Sequence, residues 1–371
     1  MSVIVQSSSL SNGLLAEVRF ESRGAVGLIT LDRRKALNAL THAMCIAIDD
    51  QLAEWAKHAD IAIVVIRSAD DRAFCAGGDV RSLYDCGIAL KRGLPEGKVA
   101  REFIRDEYRM NRHIKIFPKP YVAFIDGLTI GGGLGVSVHG SQRIATERTL
   151  FATPEASIGL VPDVGASYVL PRLPGESGCY LGLTGARINT ADLVALGIAT
   201  HCVPSVRLND LLDDLVRADW SGDAHGIADE IIGLYAVGPG APYLAAHSRV
   251  IEHCFAHDDI AAILEALDGA GCAVTAEAAA MIRTMSPTSL KLTLAANRRG
   301  RRLSFDDCMV MEYRLIQSIL LHCDFYEGVR ALLIDKDRSP RWDPPLLESV
   351  DEAKVARYFV APPTGDLTFV D

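Results

Sequence analysis

The sequence predicts an α/β core followed by an all-helical C-terminal region. Short apolar runs rich in β-branched residues recur at Ala25–Leu31 (AVGLITL), Ile61–Ile66 (IAIVVI) and Tyr121–Ile125 (YVAFI). Their unbroken apolar character suits strands of a sheet covered on both faces. Between them apolar residues recur at helical spacing, and beyond about residue 204 the strand-like runs cease.

The first run is bounded by Gly24 and Asp32. Leu40, Ala43, Met44, Ala47, Ile48, Leu52 and Trp55 then lie on one face of a predicted helix. Ile61–Ile66 and Tyr121–Ile125 follow as buried strands. Arg143–Ala145 and Thr149–Ala152 read as short strands about a turn at Glu147. Helical spacing then dominates, in Leu208–Val216, Ile227–Tyr235, Ile260–Leu267 and Met309–Leu321, with Gly238-Pro239-Gly240 as punctuation. Two parts are expected, a core over 14–204 and a helical region over 205–371.

The chain has 371 residues, 49% of them apolar, enough for one large domain or two modest ones. A net charge of -9 disfavours binding to nucleic acid, which calls for a basic face. A local basic pocket for a phosphorylated ligand remains compatible with it. Nine cysteines, an odd number with no C-x-x-C pair, point to a reducing compartment such as the cytoplasm, or the mitochondrial matrix in a eukaryote. The first 23 residues carry Glu17 and Glu21 beside Arg19 and Arg23 and read poorly as a leader. No apolar run reaches the roughly 18 residues of a membrane span.

Three glycine-bearing segments carry the candidate chemistry: Phe74-Cys75-Ala76-Gly77-Gly78-Asp79, Asp126 to Gly135 (DGLTIGGGLG), and Pro154 to Gly165 (PEASIGLVPDVG). Glycine lets a ligand approach the backbone, and free N–H groups at strand ends can face a developing oxyanion. Taken singly, each segment also reads as a tight turn.

In order, ITLDRRKALNAL (29–40), AGGD, GGG and PExxIGLxPDxG resemble the crotonase, or enoyl-CoA hydratase/isomerase, superfamily. REFIRDEYRMN (101–111), LFATPEASIGLVPDVGASYVLPRL (150–173), MSPTSLKLT (285–293), MEYRL (311–315) and DFYEGVRALLIDKDRSPRW (324–342) resemble its thioester-hydrolase branch. The resemblance covers about residues 14–345. It implies an α/β fold, a crotonase-like spiral of repeated ββα units with C-terminal helices. It also implies an acyl-CoA site in the core, coenzyme A only as part of the substrate, and no permanent cofactor or metal. Gly78 and Gly132 match its two oxyanion-hole positions. Glu155 matches its catalytic glutamate, Asp163 its second acid, and Glu107 a glutamate at the substrate end of the pocket. The implied substrate is 3-hydroxyisobutyryl-CoA, hence valine breakdown, with 3-hydroxypropionyl-CoA next.

One departure selects the branch. Hydratases of the superfamily usually carry a glutamate two places after the GGG triplet, where this chain has Gly135. Asp163 stands where they usually have glycine. Water addition to a double bond is thereby disfavoured, and enoyl-CoA hydratase or isomerase stays as the alternative, with a non-catalytic acyl-CoA scaffold behind it. Bland readings stand beside each acid. Glu155 fits a helix first turn, Asp163 fits an N-cap, and Glu107 fits a helix surface. Arg34 and Lys35, after the first strand, are the candidates for the coenzyme's phosphates. His253 and His257 share a helix face by spacing but read as surface residues, and Cys75 as a small buried residue. Partners are a small acyl-CoA, with no nucleic acid and no membrane; homo-oligomerisation is left open.

Overall fold

The computed structural model describes residues 17–369. The expected absence of a leader rests largely on residues 1–16, which lie outside the described residues, as does the start of the expected core at residue 14. In chain order the elements are β1 (Val18–Arg23), β2 (Val26–Leu31), α1 (His42–Lys57), β3 (Ile63–Ser68), β4 (Ala73–Cys75), α2 (Val80–Lys91), α3 (Lys98–Lys115), β5 (Tyr121–Ile125), β6 (Leu128–Ile130), α4 (Gly132–Gly135), β7 (Gln142–Ala145), β8 (Leu150–Ala152), α5 (Ala166–Val169), β9 (Ile188–Asn189) and β10 (His201–Cys202). Described elements beyond β10 are helical. The five sequence-read strands fall within two residues of β2, β3, β5, β7 and β8. The sequence reading did not include β1, α2 or α3.

Two sheets form. One is six-stranded in the order β1-β2-β3-β5-β7-β10, and the other four-stranded in the order β4-β6-β8-β9. β1 pairs antiparallel with β2; from β2 to β10 the larger sheet is parallel. Successive passes place one strand in each sheet: β3 then β4, β5 then β6, β7 then β8. Each pair leads into a helix or a helical turn. This is the spiral of ββα repeats that the resemblance implied, and parallel pairing explains why β2, β3 and β5 read as unbroken apolar runs.

The chain divides into two compact units. The first holds described residues 17–78, 109–151 and 188–242. Its core lies on one face of the six-stranded sheet. Val26, Leu28, Ile63, Val65, Val122 and Phe124 alternate along their strands to meet Leu211, Leu212 and Leu215 of helix Leu208–Arg217, and Ala228 and Ile232 of helix Ala224–Gly233. Each such side chain contributes about 1.5–3 kcal/mol by leaving water. On the opposite face, a Cβ on Gly27 would sit 2.7 Å from the Trp55 ring, so glycine is what lets α1 lie on the sheet.

The second unit holds described residues 79–108, 152–187 and 243–369 and is helical. Its helices Pro287–Gly300 and Phe305–Ile319 start at serine caps. Ser286 accepts the Ser289 N–H, and Ser304 accepts the Asp307 N–H. Pro287 at the first helical position loses no hydrogen bond there.

Candidate active site

An acidic centre lies within the helical unit. On α3, Ala100, Phe103, Ile104, Glu107 and Tyr108 are all buried, so the stripe that seats the helix contains a carboxylate. Glu107 is 4% exposed, which rules out a helix-surface charge. Glu155 opens the single 3-10 turn Glu155–Ile158, and its carbonyl accepts the Leu160 N–H at 3.0 Å. Gly159 closes that turn at φ 73°, where a Cβ would lie 2.3 Å from the Asp324 carbonyl. Gly328 meets Ile158 from the other side, at 2.5 Å for a Cβ. Two glycines thus let helix Asp324–Val329 close onto the turn that carries Glu155.

Asp163 is not an N-cap. Gly165 caps the short α5, and the Asp163 carboxylate instead accepts the Tyr108 hydroxyl at 2.7 Å. Glu312, on helix Phe305–Ile319, accepts the N–H groups of Gly165 and Ser167, one on each oxygen, at 2.7 Å each. The turn between holds Val164 at φ 52° and Gly165 at φ 90°. A β-branched residue rarely adopts that region, and such strain is typical of functional turns.

Burial governs the electrostatics. It pushes Glu155 up to about 8, and the Asp163 charge adds to the push, while the residue's own backbone N–H pulls part of it back. Glu107 rises to about 8 for the same two reasons. Asp163 rises to about 6 through burial, held lower by the Tyr108 hydroxyl and its own N–H. Glu312 is also pushed up by burial, against the pull of its hydrogen-bond donors. Among the described residues no ion pair reaches Glu107, Glu155 or Asp163, so these carboxyls titrate as a set, Asp163 losing its proton first. Glu155 Oε2 and Glu107 Oε1 are buried with no hydrogen-bond partner among the described residues. Buried unpaired polar atoms cost free energy, and together with their raised titration they make the two carboxyls candidates for a functional site.

The glycine turns belong to the first unit. Leu40 N–H donates to the Gly77 carbonyl at 2.8 Å, and Gly78 forms an isolated parallel bridge with Leu40. Gly132 is the first residue of α4, where an N–H has no intrahelical acceptor. The two turns are neighbours: Gly77, at φ +104°, would bring a Cβ to 3.7 Å from Gly132 N. Gly133 packs so closely on β4 that a Cβ would meet Cys75 O at 2.5 Å. Gly135 is buried in α4 and brings no carboxylate. Arg34 and Lys35 are exposed on the one-turn helix Arg34–Ala36, and Arg34 pairs with Asp32 at 2.8 Å. Cys75 is fully buried.

In the helical unit, helix Ser248–Phe255 ends before His257, so His253 and His257 do not share a helix face. Among the described residues no group of three His, Cys, Asp or Glu is placed to hold a metal ion. A cavity of about 680 Å³ elsewhere in this unit is lined by Lys291, Arg298, Arg299, Arg302 and Glu352, among others. None of these was a candidate from the sequence.

The sequence reading gave no role to Tyr108 or Glu312. For Tyr108 a signal existed, because its place beside Glu107 on the Ala100–Tyr108 stripe marks it as inward-facing. For Glu312 the segment MEYRL carried only a resemblance and no role, since its partners lie 145 and 147 residues away.

Comparison with known proteins completes the description. The model of the enoyl-CoA hydratase/isomerase family matches residues 26–359. The chain is 43% identical over 355 residues to the mitochondrial 3-hydroxyisobutyryl-CoA hydrolase of Danio rerio, covering 95% of this chain and 91% of that protein. It is 41% identical over 357 residues to the human protein of the same name, with the same coverage. Among solved structures, it resembles a carnitinyl-CoA dehydratase from Mycobacterium thermoresistibile, with TM-score 0.88, 38% identity and 95% and 98% of the two chains covered. An enoyl-CoA hydratase from Rhodobacter sphaeroides gives 0.85, 37%, 95% and 100%.

Proposed function

The chain belongs to the enoyl-CoA hydratase/isomerase family, and on that premise we propose that it hydrolyses an acyl-CoA thioester, foremost 3-hydroxyisobutyryl-CoA. The observation that carries the proposal is the buried Glu155 carboxyl, with Oε2 unpartnered, coupled to Asp163 while Gly135 supplies no second carboxylate.

Each residue then takes a role. The N–H groups of Gly78 and Gly132 hold the thioester carbonyl oxygen as it gains charge, each worth roughly 3 kcal/mol in the transition state. Glu155 acts in its ionised form, by one of two routes. As a nucleophile it forms a mixed anhydride that water then cleaves; as a base it takes a proton from the attacking water. Either way the C–S bond breaks, one water is consumed, and a carboxylic acid and the free thiol of coenzyme A leave. Asp163 orients the water or the acyl hydroxyl. Glu107, protonated near neutral pH, donates a hydrogen bond at the acyl end. Arg34 and Lys35 hold the phosphates of the coenzyme. Hydrolysis needs only water, so the reading requires no resident cofactor.

The relatives' printed names place them in mitochondria. Nine cysteines with no disulfide among the described residues fit a reducing compartment, so the cytosol or the mitochondrial matrix is the proposed setting.

A second reading, hydration of an enoyl-CoA, is favoured by the names of the two solved structures at 37% and 38% identity. The two readings part on specificity constants. Release of thiol from 3-hydroxyisobutyryl-CoA should exceed hydration of crotonyl-CoA by orders of magnitude in kcat/KM. Comparable values would remove the hydrolase assignment.

A further inference from the structure

Asp163 is gripped at two points that no sequence motif links. Its carboxylate accepts the hydroxyl of Tyr108, a fully buried side chain, at 2.7 Å. Its backbone leads into a turn whose next residue, Val164, lies at φ 52°. That turn is closed by Glu312, which is fully buried and takes the Gly165 and Ser167 N–H groups on its two oxygens. A short helix is ordinarily capped by a local serine, threonine or aspartate at little electrostatic cost. Using a distant buried carboxyl instead is costly unless the geometry of the turn matters.

We propose that Tyr108 and Glu312 are positioning residues for the reaction, Tyr108 fixing the Asp163 carboxylate and Glu312 fixing the turn that carries it. The inference rests on the thioester-hydrolase reading for its chemistry, but its geometry stands apart from it. The groups that act on Asp163 and its clamp are Glu107 on α3, Glu155 on its 3-10 turn and Glu312 on helix Phe305–Ile319. All are acids, and burial drives the Tyr108 phenol well above its ordinary range, so it stays a donor throughout the working pH. The hydroxyl therefore helps to keep the negative charge of the set on Asp163. With it, Asp163 ionises well before Glu155 and Glu107. Without it, Asp163 loses its one side-chain donor and part of that advantage.

The test is a titration of the aspartate side chains by carbon-13 NMR, with the Asp163 signal assigned through Asp163→Asn, run beside the thiol-release assay. Tyr108→Phe should move the Asp163 titration to higher pH by about one unit, the loss of a single hydrogen bond to a charged group. It should lower kcat about 10- to 100-fold while KM changes much less. Glu312→Gln keeps one acceptor for the two N–H groups and should retain more turnover than Glu312→Ala. If the Glu312 variants do not fold, Tyr108→Phe, which leaves the ring in place, decides alone. A folded Tyr108→Phe protein whose Asp163 titrates as in the wild type, or whose kcat is unchanged, overturns the proposal. Should the wild type release no thiol, the hydrolase reading fails, and the NMR titration alone decides whether the clamp holds Asp163.

Discussion

Replacing Glu155 by glutamine should stabilise the protein at pH 9 and change little at pH 5. Burial raises this carboxyl from 4.5 to about 8, with the Asp163 charge adding to the effect. Below the ordinary value, folded and unfolded chains both hold the proton and the residue is neutral to stability. Between 4.5 and about 8 the unfolded chain releases the proton while the folded one keeps it, so stability falls as pH rises through that window. Each pH unit costs up to about 1.4 kcal/mol, which sets an upper limit near ~5 kcal/mol. Sharing of protons with Asp163 and Glu107 reduces it, so about 2–5 kcal/mol is the working range. Glutamine keeps the shape and cannot ionise, so it escapes this cost. In a chain of this size that is a rise of roughly 3–6 °C in Tm at pH 9. The assay is thermal unfolding of both proteins at pH 5 and pH 9, followed by circular dichroism. A Tm difference of the same sign and size at both pH values would refute the reasoning, because it would show that burial does not hold the proton on Glu155.

Other outcomes follow from the same geometry. Since Glu155 must be ionised to act, kcat/KM should climb with pH on an acidic limb that ends near 8, and Glu155→Asp should move that limb; a flat profile from pH 6 to 9 would contradict the assignment. Asp163→Asn should cost less turnover than Glu155→Gln if Asp163 only orients, as steady-state kinetics of the two variants will tell. Arg34→Ala with Lys35→Ala should raise KM for the full coenzyme A thioester with little change in kcat, and an unmoved KM would send the phosphates elsewhere. Gly159→Ala forces a Cβ within 2.3 Å of the Asp324 carbonyl at φ +73° and should destabilise by about 2–4 kcal/mol, measured as a lower urea midpoint.

The sheet core was legible because parallel strands buried on both faces leave unbroken apolar runs, as in β2, β3 and β5. β1 was not, because VRFESR sits at the sheet edge with mixed burial and carries three charges, hiding its pairing with β2. α3 escaped for a similar reason. Its charged RDEYR run masks the inward stripe through Ala100, Phe103, Ile104, Glu107 and Tyr108. The positions of Glu155, Asp163, Gly78 and Gly132 were legible since each lies in a compact glycine-bearing segment. What the sequence does not show is the company these residues keep. Tyr108 reaches Asp163 across 55 residues and Glu312 reaches the same turn across nearly 150, contacts that only the folded chain creates. The raised titration of the acids has the same origin, because burial is a property of packing rather than of spacing.

The central claim is that Glu155 carries out thioester hydrolysis. Steady-state thiol release from 3-hydroxyisobutyryl-CoA by wild type and Glu155→Gln tests it most directly. The amide fills the same space and the Gly78 and Gly132 N–H groups remain, so KM should stay within a few-fold. Losing the nucleophile or base should lower kcat by about 100- to 10,000-fold. A Glu155→Gln protein that is folded and turns over at a near-normal kcat would contradict the account.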